Sequence, residues 1–352
     1  MSIVDAFPFP FADPRAQELL RVMMSLYRTR REAVALVEQH QIEEADLPPD
    51  LTTRQLWHEL LDKAAAKGTT RAIVAAARAE FPTNPRVAFL DALLAGEPAP
   101  LSAEPADAAG APKFIVGTDD VQQPEALLFF DDLTIPTGRV PGLIDTLQRM
   151  LALAPSVCLL RVDNAHGEFF GTGFRIGKDL ILTNEHVLYP NHAVASAVHA
   201  DFNFDVDGSG ASVNAVSLTG DVASIAGDAA DDWAIVKVAG MDAAWPIIDL
   251  AGAKPPATGD FTYILQHPSG QRKRLGYVRN MITEVTDRVV HYLTDTEPGS
   301  SGAPVFDAAG QCIALHHAGG QPTTIAGKPP VSKNEGIRIS RVHAALQAKG
   351  LV

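Results

Sequence analysis

The run Thr294-Asp295-Thr296-Glu297-Pro298-Gly299-Ser300-Ser301-Gly302-Ala303-Pro304-Val305 reads as a serine hydroxyl set beside its own anion-binding backbone. A serine hydroxyl is a weak nucleophile; it needs a base, and a place for the negative charge that develops on its target. Gly299 and Gly302 flank the pair of serines and allow backbone conformations that a side chain forbids. That freedom aims the N–H groups of Gly299 and Ser301 at one point beside the Ser301 hydroxyl. Alone, Gly-Ser-Ser-Gly is an ordinary flexible turn, so the chemistry stands or falls on partners elsewhere in the chain.

Two such partners lie upstream. Gly171-Thr172-Gly173-Phe174-Arg175-Ile176 and Leu180-Ile181-Leu182-Thr183, joined by Gly177-Lys178-Asp179, form a hairpin pattern of two apolar strands around a polar turn. His186 follows the second strand, where a neutral imidazole is placed to take a proton near neutral pH. Asp231-Asp232-Trp233-Ala234-Ile235-Val236-Lys237-Val238 puts a carboxylate at the mouth of a buried strand, where it holds an imidazole in one tautomer. Taken singly, a strand-end histidine is usually a surface or core residue, and a strand-start aspartate usually caps a turn.

Together, in the order His, Asp, Ser, the motifs Gly-Thr-Gly-Phe, Leu-Thr-Asn-Glu-His-Val, Asp-Trp-Ala-Ile-Val-Lys and Gly-Ser-Ser-Gly-Ala-Pro-Val resemble those of trypsin-fold serine peptidases, specifically the disulfide-free bacterial branch. The resemblance covers residues 146–345. It implies His186 as general base, Asp232 as its orienting carboxylate and Ser301 as nucleophile, with the amides of Gly299 and Ser301 as oxyanion hole. Asp232 is preferred to Asp231 because the family pattern is Asp-x-Ala. Secreted relatives often bracket the histidine with a disulfide, and the matching positions here are Gly171 and Val187. The residue six before the nucleophile forms the pocket floor in the family; here it is Asp295, which favours Lys or Arg at the cleaved position. Thr296 and His316 look instead like the pair that recognises glutamate in glutamyl-endopeptidase relatives. Charge at the floor of a dry pocket is the stronger effect, so a basic residue is expected. Ser300 stands where zymogens of the family carry an activating aspartate, so activation is expected to need no N-terminal cleavage.

Composition limits the alternatives. A chain of 352 residues suffices for two domains, and no apolar run reaches the roughly 20 residues of a membrane helix. The start Met1-Ser2-Ile3-Val4-Asp5 lacks the basic and apolar regions of a secretory signal, and Cys158 and Cys312 sit inside apolar runs, as buried thiols do. A cytoplasmic location follows as an expectation. The net charge of −13 divides as −3 over residues 1–97, −6 over 98–145 and −4 over 146–352, a distribution unsuited to nucleic acid. Arg272-Lys273-Arg274 reads as a solvated loop. The histidines do not cluster at metal-ligand spacing, and His316-His317, adjacent on a strand, should face opposite ways. Neither metal nor cofactor is required by the chemistry.

Residues 1–97 are helical. Asp13-Pro14 is a cap followed by a first-turn proline, ahead of Leu19, Leu20, Met23, Met24 and Tyr27 at helical spacing. Further helices run through Ala33, Val34 and Val37, from Thr53 to Gly68, from Thr70 to about Phe81, and from Asn84-Pro85 through Leu94, with Met23, Met24 and Trp57 as core. Five short helices suit a small bundle of death-like type. Tyr27, Leu56-Trp57-His58-Glu59-Leu60-Leu61, Ala64–Gly68 and Glu80-Phe81-Pro82-Thr83-Asn84-Pro85 resemble the bacterial effector-associated domain. That resemblance implies recruitment to an adaptor or sensor protein in bacterial conflict systems. Residues 98–120 read as an acidic Ala/Pro linker, and 121–155 as a segment wrapped on the outside of the following domain.

The expected architecture is multidomain α plus all-β: a helical adaptor over residues 1–97, then a double antiparallel six-stranded β-barrel within 121–352. The expected function is a cytoplasmic serine endopeptidase acting on protein substrates, with no nucleic acid or membrane as partner. Two alternatives stand beside it: an inert barrel used as a binding module, and a chaperone-like quality-control peptidase. The latter usually carries a C-terminal peptide-binding domain, which the residues after Ile337-Arg338-Ile339-Ser340 are too few to form.

Overall fold

A computed structural model describes residues 2–27, 29–49, 51–82, 86–98, 101–103, 143–206, 213, 215–277, 280–294, 296–320 and 333–352. Of the expected linker only 98 and 101–103 are among these residues, and Leu101–Ser102 is a buried strand there; residues 104–120, the first part of the expected wrapping segment, Asn84, Pro85 and Asp295 lie outside. The chain divides into two compact units, a helical one over Met1–Leu101 and a β-rich one that includes the described residues within 143–320 and 333–352.

In the helical unit the start signals act as their chemistry requires. Asp13 accepts from the Arg15 N–H at 2.8 Å and Pro14 opens α1 (Pro14–Leu26). Thr29 with Glu32, and Thr52 with Gln55, form reciprocal capping boxes that open α2 (Arg30–Glu38) and α3 (Thr53–Lys67). Gly68, in the left-handed region, ends α3, and α4 (Thr70–Glu80) and α5 (Val87–Ala95) follow. Leu19, Leu20, Met23, Trp57, Leu60 and Val74 are buried, as the spacing predicts. The polar atoms carried into this core find partners: Trp57 Nε1–H donates to the Tyr27 carbonyl at 3.2 Å, and the Tyr27 hydroxyl donates to Glu80 at 2.7 Å.

The second unit is built of β2 (Val157–Asn164), β3 (Gly167–Arg175), β4 (Leu180–Thr183), β5 (Ala197–Phe202), β6 (Val216–Asp228) and β7 (Trp233–Val238), then β8 (Tyr263–Gln266), β9 (Arg274–Gly276), β10 (Ile282–Val285), β11 (Val289–Tyr292), β12 (Pro304–Phe306), β13 (Cys312–Gly319) and β14 (Asn334–Arg338). The first six pair antiparallel in the order β3–β2–β5–β6–β7–β4, and a further β3–β4 ladder closes the ring, with the two-residue β1 (Leu101–Ser102) on its edge. The second sheet runs β10–β11–β14–β13–β12–β8–β9 and curls back on itself through a bridge between Phe261 and Met281. Closure removes the unpaired edges that an open sheet leaves exposed.

The two barrels share one core, in which Phe174, Leu182, Trp233 and Ile235 of the first meet Tyr263, Leu265, Phe306, Leu315 and Ile337 of the second. Two helices seal it: α6 (Leu143–Leu153), which buries Met150, and the C-terminal helix (Ile339–Ala348), which buries Val342 and Leu346. Cys158 and Cys312 are buried free thiols. Lys273 corrects the expectation of a solvated loop: it is buried, its ammonium donating to the Ala154 carbonyl at 2.7 Å and to Asp205 at 3.0 Å. An ammonium on so long a stem spans a gap between two loops, which composition alone did not reveal. Among the described residues no helix is long and apolar enough to cross a membrane.

Trp57 both fills the helical core and holds Tyr27. Replacing Trp57 by Ala is expected to lower the stability of the helical unit by roughly 3–5 kcal/mol, read as an earlier transition in urea denaturation of the full chain followed by far-ultraviolet circular dichroism. Trp57→Phe should recover most of that loss.

Candidate active site

His186 is delivered by a single helical turn, α7 (Glu185–Leu188), that begins directly after β4. Its imidazole Nδ1 lies 3.0 and 2.8 Å from the two carboxylate oxygens of Asp232, and its backbone N–H donates to the same carboxylate at 3.1 Å. Asp232 sits in the turn before β7 with φ +42, a left-handed conformation uncommon for a residue with a side chain. Asn184 holds it there by donating to the Asp232 carbonyl at 2.8 Å. The neighbouring Asp231 turns outward to Arg288 at 3.1 Å and Arg341 at 2.7 Å, which leaves Asp232 alone as the partner of the imidazole.

Ser301 comes from the second barrel, in the loop before β12. Gly299 has φ +95 and Gly302 φ +85. A Cβ on Gly302 would collide with the Thr172 carbonyl and the Thr183 hydroxyl, and one on Gly299 would come within 2.7 Å of the Phe170 ring. Both positions therefore require glycine for backbone conformation and for space. The Pro298 carbonyl is drawn to the Ser269 N–H, and the Ser300 carbonyl accepts from the Ala303 N–H at 3.0 Å. In a trans peptide the N–H points opposite to its carbonyl, so the amides of Gly299 and Ser301 are turned away from those two contacts. Thr172 clamps the loop from β3: its N–H donates to the Ser301 carbonyl at 2.8 Å and its hydroxyl to the Gly299 carbonyl at 2.9 Å.

His186, Asp232 and Ser301 are 8 %, 9 % and 3 % exposed. The first two are joined; the third is near but not joined. A Cβ on Gly171 would lie 2.8 Å from the Val187 side chain and 3.3 Å from the Ser301 carbonyl, so the histidine turn and the serine loop flank the same point of β3. The same contact shows Gly171 and Val187 side by side, where a disulfide would have joined them. Among the described residues His186 Nε2 is buried without a hydrogen-bond partner, so its bond to the Ser301 hydroxyl is not made in this conformation. Such bonds often tighten only when substrate is bound.

Residues 171–315 match the trypsin-like peptidase domain, and residues 9–95 match effector-associated domain 1. The chain joins an effector-associated domain to a trypsin-like peptidase domain. Among curated proteins it is 30% identical over 249 residues to an uncharacterized protein of Sinorhizobium fredii, covering 58% of this chain and 38% of that protein. It is also 30% identical over 199 residues to a secreted RxLR effector protein of Plasmopara viticola, covering 48% of this chain and 46% of that one. The chain thus spans less than half the length of either relative. Among solved structures it is similar to a protease of M. tuberculosis in its active form, with 21% identity, a TM-score of 0.45 and coverage of 59% of this chain and 86% of that one. A serine endoprotease of Yersinia pestis gives 16% identity, a TM-score of 0.44 and coverage of 58% and 66%.

In the peptidase domain the two adjacent histidines of β13 diverge as strand geometry predicts. His316 meets Tyr292, with Nδ1 2.7 Å from the hydroxyl, and burial, then the charges of His317 and His186, push its imidazole down to about 3. Thr296 donates to Asn334 Oδ1 at 2.9 Å, and Asn334 in turn reaches the Thr294 carbonyl with its amide nitrogen at 2.5 Å. Asp295, expected at the pocket floor, lies outside the described residues.

His317 turns the other way, and sequence reasoning missed it. Its Nδ1 lies 2.9 Å from Asp232 Oδ2 and its Nε2 2.6 Å from Glu335 Oε1. Glu335 also holds His291 Nε2 at 2.6 Å, and His291 Nδ1 meets Glu284 at 2.8 Å. Burial alone would raise the Asp232 carboxyl, but the charge and hydrogen bond of His186, then those of His317, hold it well below the usual carboxylate range. Burial lowers His317, yet its bonds to Asp232 and Glu335 carry it up to about 9. Glu335, raised by burial, is brought down to about 2 by His291 and His317. The one available signal in the sequence was a second histidine at the end of the strand that carries His316.

Two expectations follow. Gly302→Ala should destabilise the peptidase domain by at least the ~1–3 kcal/mol of a strained backbone position, measured as a lower thermal midpoint. His317 binds its proton more tightly folded than unfolded, from 6.5 up to about 9, so its contribution is complete below the lower value and lost as pH rises through the upper. The thermal midpoint should therefore fall over that range, and fall less in Glu335→Gln.

Proposed function

We propose that the chain is a serine endopeptidase that hydrolyses protein substrates through an acyl-enzyme. The observation that carries this is the buried His186 imidazole, its Nδ1 bound by Asp232 and its Nε2 without a partner among the described residues. With Nδ1–H donated to the carboxylate, Nε2 is the basic nitrogen, the one required to take the Ser301 proton. In the proposed reaction Ser301 Oγ bonds to the scissile carbonyl carbon as its proton passes to Nε2. The Gly299 and Ser301 amides receive the oxyanion. Breaking of the C–N bond sends that proton out on the leaving amine. Water then attacks the ester, gives a proton to Nε2, and Ser301 leaves with it, which restores the site.

Asp295, Thr296 and His316 are proposed as the substrate pocket. His316 is held neutral by burial and the Thr296 hydroxyl is committed to Asn334, so neither supplies a charge to bind glutamate. The family position of Asp295 then favours a lysine or arginine at the cleaved position. The effector-associated domain is proposed to bring the peptidase to an adaptor or sensor protein in a cytoplasmic bacterial signalling or defence system. Its match to effector-associated domain 1 supports this.

A second reading, an inert barrel used for binding, draws on the absent bond between His186 and Ser301. Labelling by a fluorophosphonate probe separates the two. The wild type should label at Ser301, and Ser301→Ala and His186→Ala should not. Asp232→Asn should slow acylation on the order of 10⁴-fold, the size of the loss when an imidazole takes the wrong tautomer. No labelling of folded wild-type protein, with or without substrate peptides, would leave only the binding role. In a peptide library, cleavage after Lys or Arg is expected to exceed cleavage after Glu, and the reverse would reassign the pocket.

A further inference from the structure

Asp232 is shared. Its carboxylate faces His186 on one side and His317 on the other, and the hydrogen bonds run on without a break through Glu335 and His291 to Glu284. His317 sits between two carboxylates, with each ring nitrogen within hydrogen-bond distance of a carboxylate oxygen. Ionised carboxylates only accept hydrogen bonds, so both nitrogens of such an imidazole must donate and the ring must carry two protons. The same holds for His291 between Glu335 and Glu284. Going inward from Glu284, the groups alternate anion, cation, anion, cation, anion, and end on His186, the one imidazole with a nitrogen left to gain a proton.

We infer that His317 is a positioning residue that sets the proton affinity of His186 through the carboxylate they share. This rests on the reading of His186 as the general base. The physical reason is competition for one negative charge. An imidazolium that forms on His186 is stabilised by Asp232, and a second cation 2.9 Å from the same carboxylate withdraws part of that stabilisation. His317 thereby weakens the hold of Asp232 on a proton that arrives at His186 Nε2. Glu335 holds His317 in its charged form, and His291, itself bonded to Glu284, holds Glu335. The groups that face His317 are Asp232 from the turn before β7 and Glu335 from β14; His316 on its own strand points the other way and His186 from α7 shares Asp232 with it. Beyond them, Lys333 lies 4.0 Å from Glu284 at the outer end of the chain of bonds.

The charge on His317 can be separated from its role as a donor. His317→Gln keeps an amide able to donate to Asp232 but removes the cation; Glu335→Gln leaves His317 in place but removes the anion that holds its second proton. Histidine ring nitrogens of the full-length protein are titrated by long-range ¹⁵N–¹H NMR, and the pH profile of fluorophosphonate labelling is recorded beside them. In the wild type both nitrogens of His317 should be protonated at neutral pH and release a proton at about pH 9. In His317→Gln, and less strongly in Glu335→Gln, the titration of His186 and the acid limb of labelling should both move up by about one pH unit. A merely structural role would lower labelling at every pH without moving that limb. Unmoved His186 titration in both variants, or a singly protonated His317 in the wild type at neutral pH, overturns the inference. The second of these needs no variant to fold. A wild type that never labels while its His186 titration shifts as expected would instead count against the hydrolytic reading and leave the electrostatic coupling standing.

Discussion

A carboxylate taken out of water is costly unless donors replace its hydration. Asp232, 9 % exposed, is placed so that they do: the His186 backbone N–H, the His186 imidazole and the His317 imidazole all converge on it. The consequences reach both ways. The bonds fix His186 in the tautomer whose Nε2 is basic. They also draw the backbone of Asp232 into a left-handed conformation that a side chain adopts only when its surroundings insist. Asp and Asn tolerate that region better than most residues, because a short polar side chain can bond locally. The identity of residue 232 thus serves its charge and its backbone together.

The site lies where it does because the two barrels share a core. His186 and Asp232 leave the ends of β4 and the turn before β7 in the first barrel, whereas Ser301 leaves the loop before β12 in the second. Neither barrel holds the full set. What registers one against the other is packing of Phe174, Leu182 and Trp233 against Phe306 and Leu315, together with Thr172, which reaches from β3 to two carbonyls of the serine loop. Close-packed interiors transmit small displacements. A loss of volume in that core should therefore disturb the approach of His186 to Ser301 without touching either.

Much of this was legible in the residues. The helices were marked by local chemistry: Asp13-Pro14 and Gly68 act within a few residues of themselves, so their effect needs no knowledge of the fold. The hairpin before His186 and the pair Gly299 and Gly302 were legible for the same reason. The chain from His317 through Glu335 and His291 to Glu284 was not. Its members lie on β13, β14, β11 and β10, and only strand register, His291 opposite Glu335 for example, brings them together. Nor did any local feature of Arg272-Lys273-Arg274 foretell that its central residue is buried against Asp205.

The gap between His186 and Ser301 is itself informative. An imidazole nitrogen buried without a partner costs about 1–3 kcal/mol relative to one that is satisfied. In the proposed reaction the Ser301 hydroxyl is the group that bonds to His186 Nε2. His186 is held from behind by three contacts to Asp232, whereas Ser301 stands in a loop between two glycines of positive φ. Movement of the serine side is accordingly the cheaper way to close the gap, and Thr172, Ser269 and Ala303, which pin the carbonyls around that loop, set how far it can move.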